Sequence, residues 1–156
     1  MSCRVYINDY QRRAQRGPAL PKSAAALAAQ AQSDTTLEAY YDVKPPLLRF
    51  EPPTLLAAAH QDPGVAVFYA SVLNEALSLH VAAEVKRRHP GCLIVFGGTR
   101  VPKDPRDYME RKDFIDVCIG RGGGDLLRKV LLRHMNPSVV RNFSGLPGIT
   151  WRSAED

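Results

Sequence analysis

Three short stretches of this chain carry residue types that bind small ligands. Gly97-Gly98 directly follows the apolar run Leu93–Phe96. Two glycines without Cβ atoms let a bulky group come within contact distance of the backbone, although a tight turn needing positive φ explains such a pair equally well. Ser71-Val72-Leu73-Asn74 follows a second apolar run, Val65–Tyr69. There the Ser71 hydroxyl and the Asn74 amide are suited either to bond a ligand or to cap the next helix. Gly120-Arg121-Gly122-Gly123-Gly124-Asp125 follows a third run, Phe114–Ile119, and opens a helix. Free N–H groups at a helix start favour anions. The stretch has neither the Gly-Lys-Ser/Thr of a phosphate loop nor the full dinucleotide fingerprint. It reads as a ligand-facing loop without nucleotide specificity.

Other chemistries are poorly represented. His60, His80, His89 and His134 have no metal-site spacing, and no Ser/His/Asp or Cys/His pattern stands out. Cys3, Cys92 and Cys118 lie far apart, and two of them sit in or beside apolar runs. That fits reduced, buried thiols. No site residue is expected to be catalytic or to ligate a metal.

The elements that must position these stretches alternate strand and helix. Arg4–Asn8 reads as the first strand, followed by a long polar loop, Asp9–Leu20. Pro21–Gln32 is an alanine-rich helix starting at a proline, and Leu37–Tyr41 continues as a helical turn. Pro45-Pro46 confines Asp42–Phe50 to an extended segment or edge strand. Pro53–His60 is a short helix. Val65–Tyr69, the helix Leu73–Arg88 (Leu73, Leu77, Val81 and Val85 four apart) and Leu93–Phe96 then form a βαβ unit. Arg106–Arg111 is a short helix, Phe114–Ile119 a strand, and a helix runs on to His134 with Leu126, Leu127, Val130 and Leu131 as its stripe. Gly148–Arg152 closes as a short strand. The strands look buried on both faces, so the sheet is expected to be parallel and covered by helices. The simplest topology is α/β, flavodoxin-like (Rossmann-like) and doubly wound, with strand order 2-1-3-4-5. Ligands of such sheets bind beyond the carboxyl ends of the strands. Here that places Asp9–Leu20 and Ser71–Asn74 at the switch point between the first and third strands, with Gly97–Val101, including Thr99 and Arg100, beside them.

A chain of 156 residues with 45% hydrophobic and 24% charged residues suits one compact domain. No apolar run spans a membrane, and Met1–Arg16 is too polar for a secretory signal, so the expected location is cytoplasmic. Solvated helix faces explain most of the net charge of +5; an anionic small ligand or cofactor phosphate would explain it as well, and no nucleic-acid motif is present. These observations describe a doubly wound domain that binds an anionic or nucleotide-like ligand at Ser71, Gly97-Gly98 and the Gly120 loop.

Ser71-x-Leu73 after one central strand and Gly97-Gly98 after the next resemble two of the three signatures of cobalamin-binding Rossmann domains. Further pieces resemble a narrower group, the N-terminal cobalamin-binding domain of radical S-adenosylmethionine (SAM) enzymes. These are Leu20-Pro21 with the alanine-rich helix, Cys92–Gly98, Val101-Pro102, Phe114–Val117, the glycine-rich turn and Leu146-Pro147-Gly148-Ile149. The resemblance implies a module, residues 1–152, that binds cobalamin (vitamin B12). Residues 153–156 are then a tail or the start of a linker to a catalytic domain. The implied contacts are Asp9, Tyr10, Gln11, Ser71, Val72, Leu73, Asn74, Gly97, Gly98, Thr99, Arg100, Val101, Gly120, Arg121, Gly122 and Gly123. In the family, cobalamin carries a methyl group from SAM to a substrate. The module alone would bind without turnover, and a radical SAM methyltransferase domain or chain is the implied partner.

Three departures qualify the resemblance. Asp-x-His-x-x-Gly after the first strand is absent. Asp9-Tyr10-Gln11 and Ala14 stand there instead, and an amide donates poorly to cobalt beside imidazole. Cobalamin is therefore expected without a histidine lower ligand, as in family members that lack this histidine. The usual Gly-Glu-Gly-Glu turn is Gly120-Arg121-Gly122-Gly123. Finally, no Cys-x-x-x-Cys-x-x-Cys occurs, so no iron–sulfur cluster is expected in this chain. The arginine in the turn favours a second reading, a free-standing interaction or regulatory protein that keeps the fold with a lost or changed ligand.

Overall fold

The computed structural model describes residues 2–11, 28–29, 33–120, 123–136 and 142–153. The strands are β1 (Cys3–Gln11), β2 (Tyr41–Val43), β3 (Leu47–Arg49), β4 (Pro63–Tyr69), β5 (Leu93–Gly97), β6 (Val117–Ile119) and β7 (Ile149–Trp151). The helices are α1 (Thr35–Tyr40), α2 (Pro53–Ala58), α3 (Glu75–Arg88), α4 (Arg106–Glu110) and α5 (Gly123–His134). The sheet runs β2-β1-β4-β5-β6-β7, with β3 also pairing β1. Every pairing is parallel except the last, where β7 runs antiparallel to β6. The expected parallel core and its order are present, with β4 central. The antiparallel edge strand is an addition.

Strand periodicity sorts the core into two layers, because successive side chains point to opposite faces. Val5, Ile7, Val65, Val67, Leu93 and Val95 pack on one face with Leu37 of α1 and Leu127, Val130 and Leu131 of α5. Ala66, Phe68, Ile94 and Phe96 pack on the other with Leu56 of α2 and Val81, Ala82 and Val85 of α3. Helices on both faces make the sheet doubly wound.

Several boundaries differ from the sequence expectation. β1 runs to Gln11, so Asp9 and Tyr10 are buried strand residues rather than loop. The rest of that loop, residues 12–20, and most of the alanine-rich helix lie outside the described residues; Ala28 and Ala29 are helical. Pro45-Pro46 splits the edge segment into β2 and β3, since proline offers no N–H to a ladder. α3 begins at Glu75 and buries Ser78, Val81, Ala82 and Val85, leaving Leu73 before the helix and exposed. The Phe114 strand shortens to Val117–Ile119, and α2 ends at Ala58.

Candidate functional site at the carboxyl edge of the sheet

The carboxyl ends of β1 and β4 are joined through one buried amide. Asn74 Nδ2 donates to the carbonyls of Tyr10 and Tyr69, at 3.1 Å each. Its Oδ1 accepts from the Ser71 N–H at 2.9 Å and the Ser78 hydroxyl at 3.3 Å. These bonds satisfy a side chain that is only 1% exposed. They also curl residues 71–74 into a tight turn, with Asn74 and Glu75 N–H groups bonding the Ser71 carbonyl. No side chain caps the start of α3, so the Ser71 hydroxyl does not take the capping role. The same turn turns Val72 and Leu73 outward, at 75% and 64% exposed.

The two glycines have separate local causes. A Cβ on Gly97 would come within 2.8 Å of the Ile119 side chain on β6. Gly98 has φ +102°, and a Cβ there would lie 2.4 Å from the Ala70 carbonyl oxygen. The backbones are held together by the Ala70 N–H to Gly97 carbonyl bond and the Arg100 N–H to Ala70 carbonyl bond, 2.8 and 3.1 Å. The turn-geometry explanation therefore holds for Gly98. Replacing it by leucine would disturb the turn itself rather than remove a ligand contact alone.

Beyond β5 and β6 lies a cleft of about 970 Å³. Its lining comes from three stretches of chain: Tyr69 with Gly98 and Thr99, then Val101, Pro102, Lys103 and Pro105 of the following loop, and the ends of β6 and β7, Cys118, Ile119 and Gly120 with Gly148, Ile149 and Thr150. The Gly120 N–H donates to the Gly148 carbonyl at 2.8 Å, which joins the end of β6 to the start of β7. Gly148 has φ +79° and faces the Leu126 side chain of α5. Burial pushes the Cys118 thiol up to about 12, so it gives the wall a neutral group.

The expected contact residues thus separate into groups. Gly98, Thr99, Val101 and Gly120 line the cleft. Val72 and Leu73 stand exposed. Gly97 is packed in β5, and Arg100 pairs with Glu75 at 3.3 Å. Asn74 and Tyr10 are consumed by structure, Tyr10 through its hydroxyl bond to Asn8 Oδ1 at 2.7 Å. Asp9 is buried and accepts from the Gln11 amide at 2.8 Å, while Gln11 is exposed. Gly123 opens α5, and Arg121 and Gly122 lie outside the described residues. Pro102, Gly148 and Ile149 belong to stretches already singled out by resemblance. Lys103, Pro105 and Thr150 carried no sequence signal, because the fold alone brings them together.

The histidines lie elsewhere. His60 Nδ1 donates to the Leu56 carbonyl at 2.8 Å, so Nε2 accepts from Asn8 Nδ2 at 3.1 Å. Burial lowers its pKa to about 4. His80 is exposed on α3, His89 follows that helix, and His134 ends α5. No cluster of three or more His, Cys, Asp or Glu residues suited to a metal ion occurs among the described residues. Among them no helix is long and apolar enough to cross a membrane.

Fold and site together define a flavodoxin-like α/β domain with an open cleft at the carboxyl edge of its sheet. A pilus assembly protein, CpaE, from Caulobacter crescentus shares this fold with a TM-score of 0.51 at 15% identity, over 83% of this chain and 95% of that one. No family model matches the chain. Two curated proteins resemble it in sequence. The 2-(S-pantetheinyl)-carbapenam-3-carboxylate methyltransferase of Streptantibioticus cattleyicolor is 33% identical over 86% of this chain. The cobalamin-dependent radical SAM methyltransferase TokK of Streptomyces tokunonensis is 29% identical over 95% of it. The chain spans 20% of the length of each. Its homologues are therefore methyltransferases, one of them cobalamin-dependent and of the radical SAM class, as the sequence resemblance implied.

Proposed function

We propose that residues 1–152 are a cobalamin-binding module of a B12-dependent radical SAM methyltransferase-like protein. The observation that carries this reading is the coincidence of homology and geometry. The relative with the broadest alignment is cobalamin-dependent, and the aligned region contains a large cleft at the expected sheet edge. The residues present fit the group. A cleft of about 970 Å³ accommodates a nucleotide-sized tail. Val72 and Leu73 offer exposed apolar contact to a flat macrocycle.

Cobalamin, when bound, supplies methyl-group transfer chemistry. This chain's residues hold and orient it: the Asn74 amide fixes the turn that presents Val72 and Leu73, and the Thr99–Pro105 loop shapes the cleft. The positions of the four histidines support binding without a histidine lower ligand. No iron–sulfur cluster is expected within the module, and turnover requires a radical SAM domain or chain.

Mixing the purified protein with hydroxocobalamin, desalting and recording the visible spectrum tests the reading. Near-stoichiometric retention is expected. A folded protein that emerges colourless contradicts it.

A further inference from the structure

Charge at the carboxyl edge is mostly neutralised within the fold. Arg100 is held by Glu75, and Arg106 grips Asp104 through two nitrogens, the shorter contact 2.6 Å. Lys103 differs. It is exposed, lines the cleft and has no carboxylate within ion-pair distance among the described residues. The neighbouring carboxylate, Asp104, is already occupied by Arg106. Among the described residues lining the cleft, Lys103 alone carries a charge. The other polar side chains there are the Tyr69 and threonine hydroxyls and the Cys118 thiol.

From this we infer that Lys103 is the anion-binding residue of the cleft and pairs with the phosphodiester of a bound corrinoid's nucleotide tail. The inference rests on the proposed cobalamin-binding function and adds a specificity residue to it. A single cation on an otherwise uncharged, partly apolar wall favours a ligand with one negative charge attached to a bulky, weakly polar body. A phosphodiester between a corrin side chain and a nucleoside has that character. A lysine ammonium gives it a point charge and hydrogen-bond donors. Two prolines flank the Lys103-Asp104 pair, at Pro102 and Pro105, and restrict the backbone that carries the ammonium.

The test compares cobalamin with cobinamide, which lacks the phosphodiester and nucleotide. Dissociation constants are measured by absorbance titration for the wild type, Lys103→Gln and Lys103→Arg. Lys103→Gln should weaken cobalamin binding about tenfold, the scale of one charge-assisted hydrogen bond. It should leave cobinamide binding within about twofold, and Lys103→Arg should retain most of the affinity for cobalamin. Added salt should weaken cobalamin binding by the wild type more than by Lys103→Gln. Unchanged cobalamin affinity in Lys103→Gln, or equal losses for both corrinoids, overturns the inference while leaving the proposed function standing. A folded wild type that binds neither corrinoid removes both.

Discussion

At the amino end of the sheet, polar side chains reach across to neighbouring segments and fasten them; at the carboxyl end, one buried amide joins the strand ends and apolar groups are left facing outward. Lys86 Nζ, in the last turn of α3, meets Asp116 Oδ2 at 2.9 Å and the Cys92 carbonyl at 2.9 Å. Asp116 Oδ2 also accepts the Ile94 N–H at 2.8 Å. Nearby, Arg4 and Tyr6 donate to the Gln61 carbonyl, and Arg152 binds the carbonyls of Met109, Lys112 and Ile115. These bonds cross-link strand starts to the segments that enter them. At the opposite edge, Asn74 joins β1, β4 and α3, while Val72, Leu73 and the cleft are left open. One end fastens the layers, and the other holds a fixed rim around a space.

Removing the fastening should have the largest effect. Asp116→Ala leaves a mostly buried ammonium without its partner and the Ile94 N–H without an acceptor. A loss of about 3 kcal/mol is expected in urea unfolding. A loss under about 1 kcal/mol would mean that the amino end does not hold the layers as described.

Acid should loosen the sheet through His60. With its native pKa at about 4, the folded protein refuses a proton that the unfolded chain accepts below its ordinary value near 6.5. Stability therefore falls as pH drops from about 6.5 to 4 and this contribution levels off below that, amounting to roughly 3 kcal/mol. Chemical denaturation at a series of pH values checks it. His60→Gln should flatten the profile across that window, and an unaltered slope would contradict the assignment.

The smallest effect on stability should come from the carboxyl rim. Leu73→Asp changes an exposed side chain outside any helix, so unfolding should shift by no more than about 0.5 kcal/mol. Hydroxocobalamin retained after desalting should nonetheless drop sharply, because the change places a charge against the expected macrocycle. Full retention would remove Leu73 from the contact surface.

Much of this division was legible in the sequence. The apolar runs marked β1, β4, β5 and β6, and the double proline marked an extended edge segment, though not its division into β2 and β3. Less legible was what tertiary contact decides. Leu73 continues a four-residue apolar spacing into α3, yet Asn74 draws the chain into a turn and the helix starts two residues later. Asp9 and Tyr10 read as loop because they are polar or amphipathic. Pairing of the flanking Asn8 and Gln11 with β3, and bonds such as that of the Tyr10 hydroxyl to Asn8, hold them in β1. The antiparallel sense of β7 has no compositional signature, since three residues in either direction bury the same side chains. The cleft was legible only in part. Gly98 and Gly120 announce themselves, whereas Lys103 and Thr150 are ordinary residues until the fold brings them to one cleft.

Amide hydrogen exchange with and without hydroxocobalamin tests the central claim most directly, because it reads both ends of the sheet at once. The account predicts added protection around residues 70–74, 97–105, 117–120 and 148–150, and little change around residues 61–64, 86–94 and 112–116. Protection concentrated at the amino end, or none anywhere under conditions where the protein is folded, would contradict it.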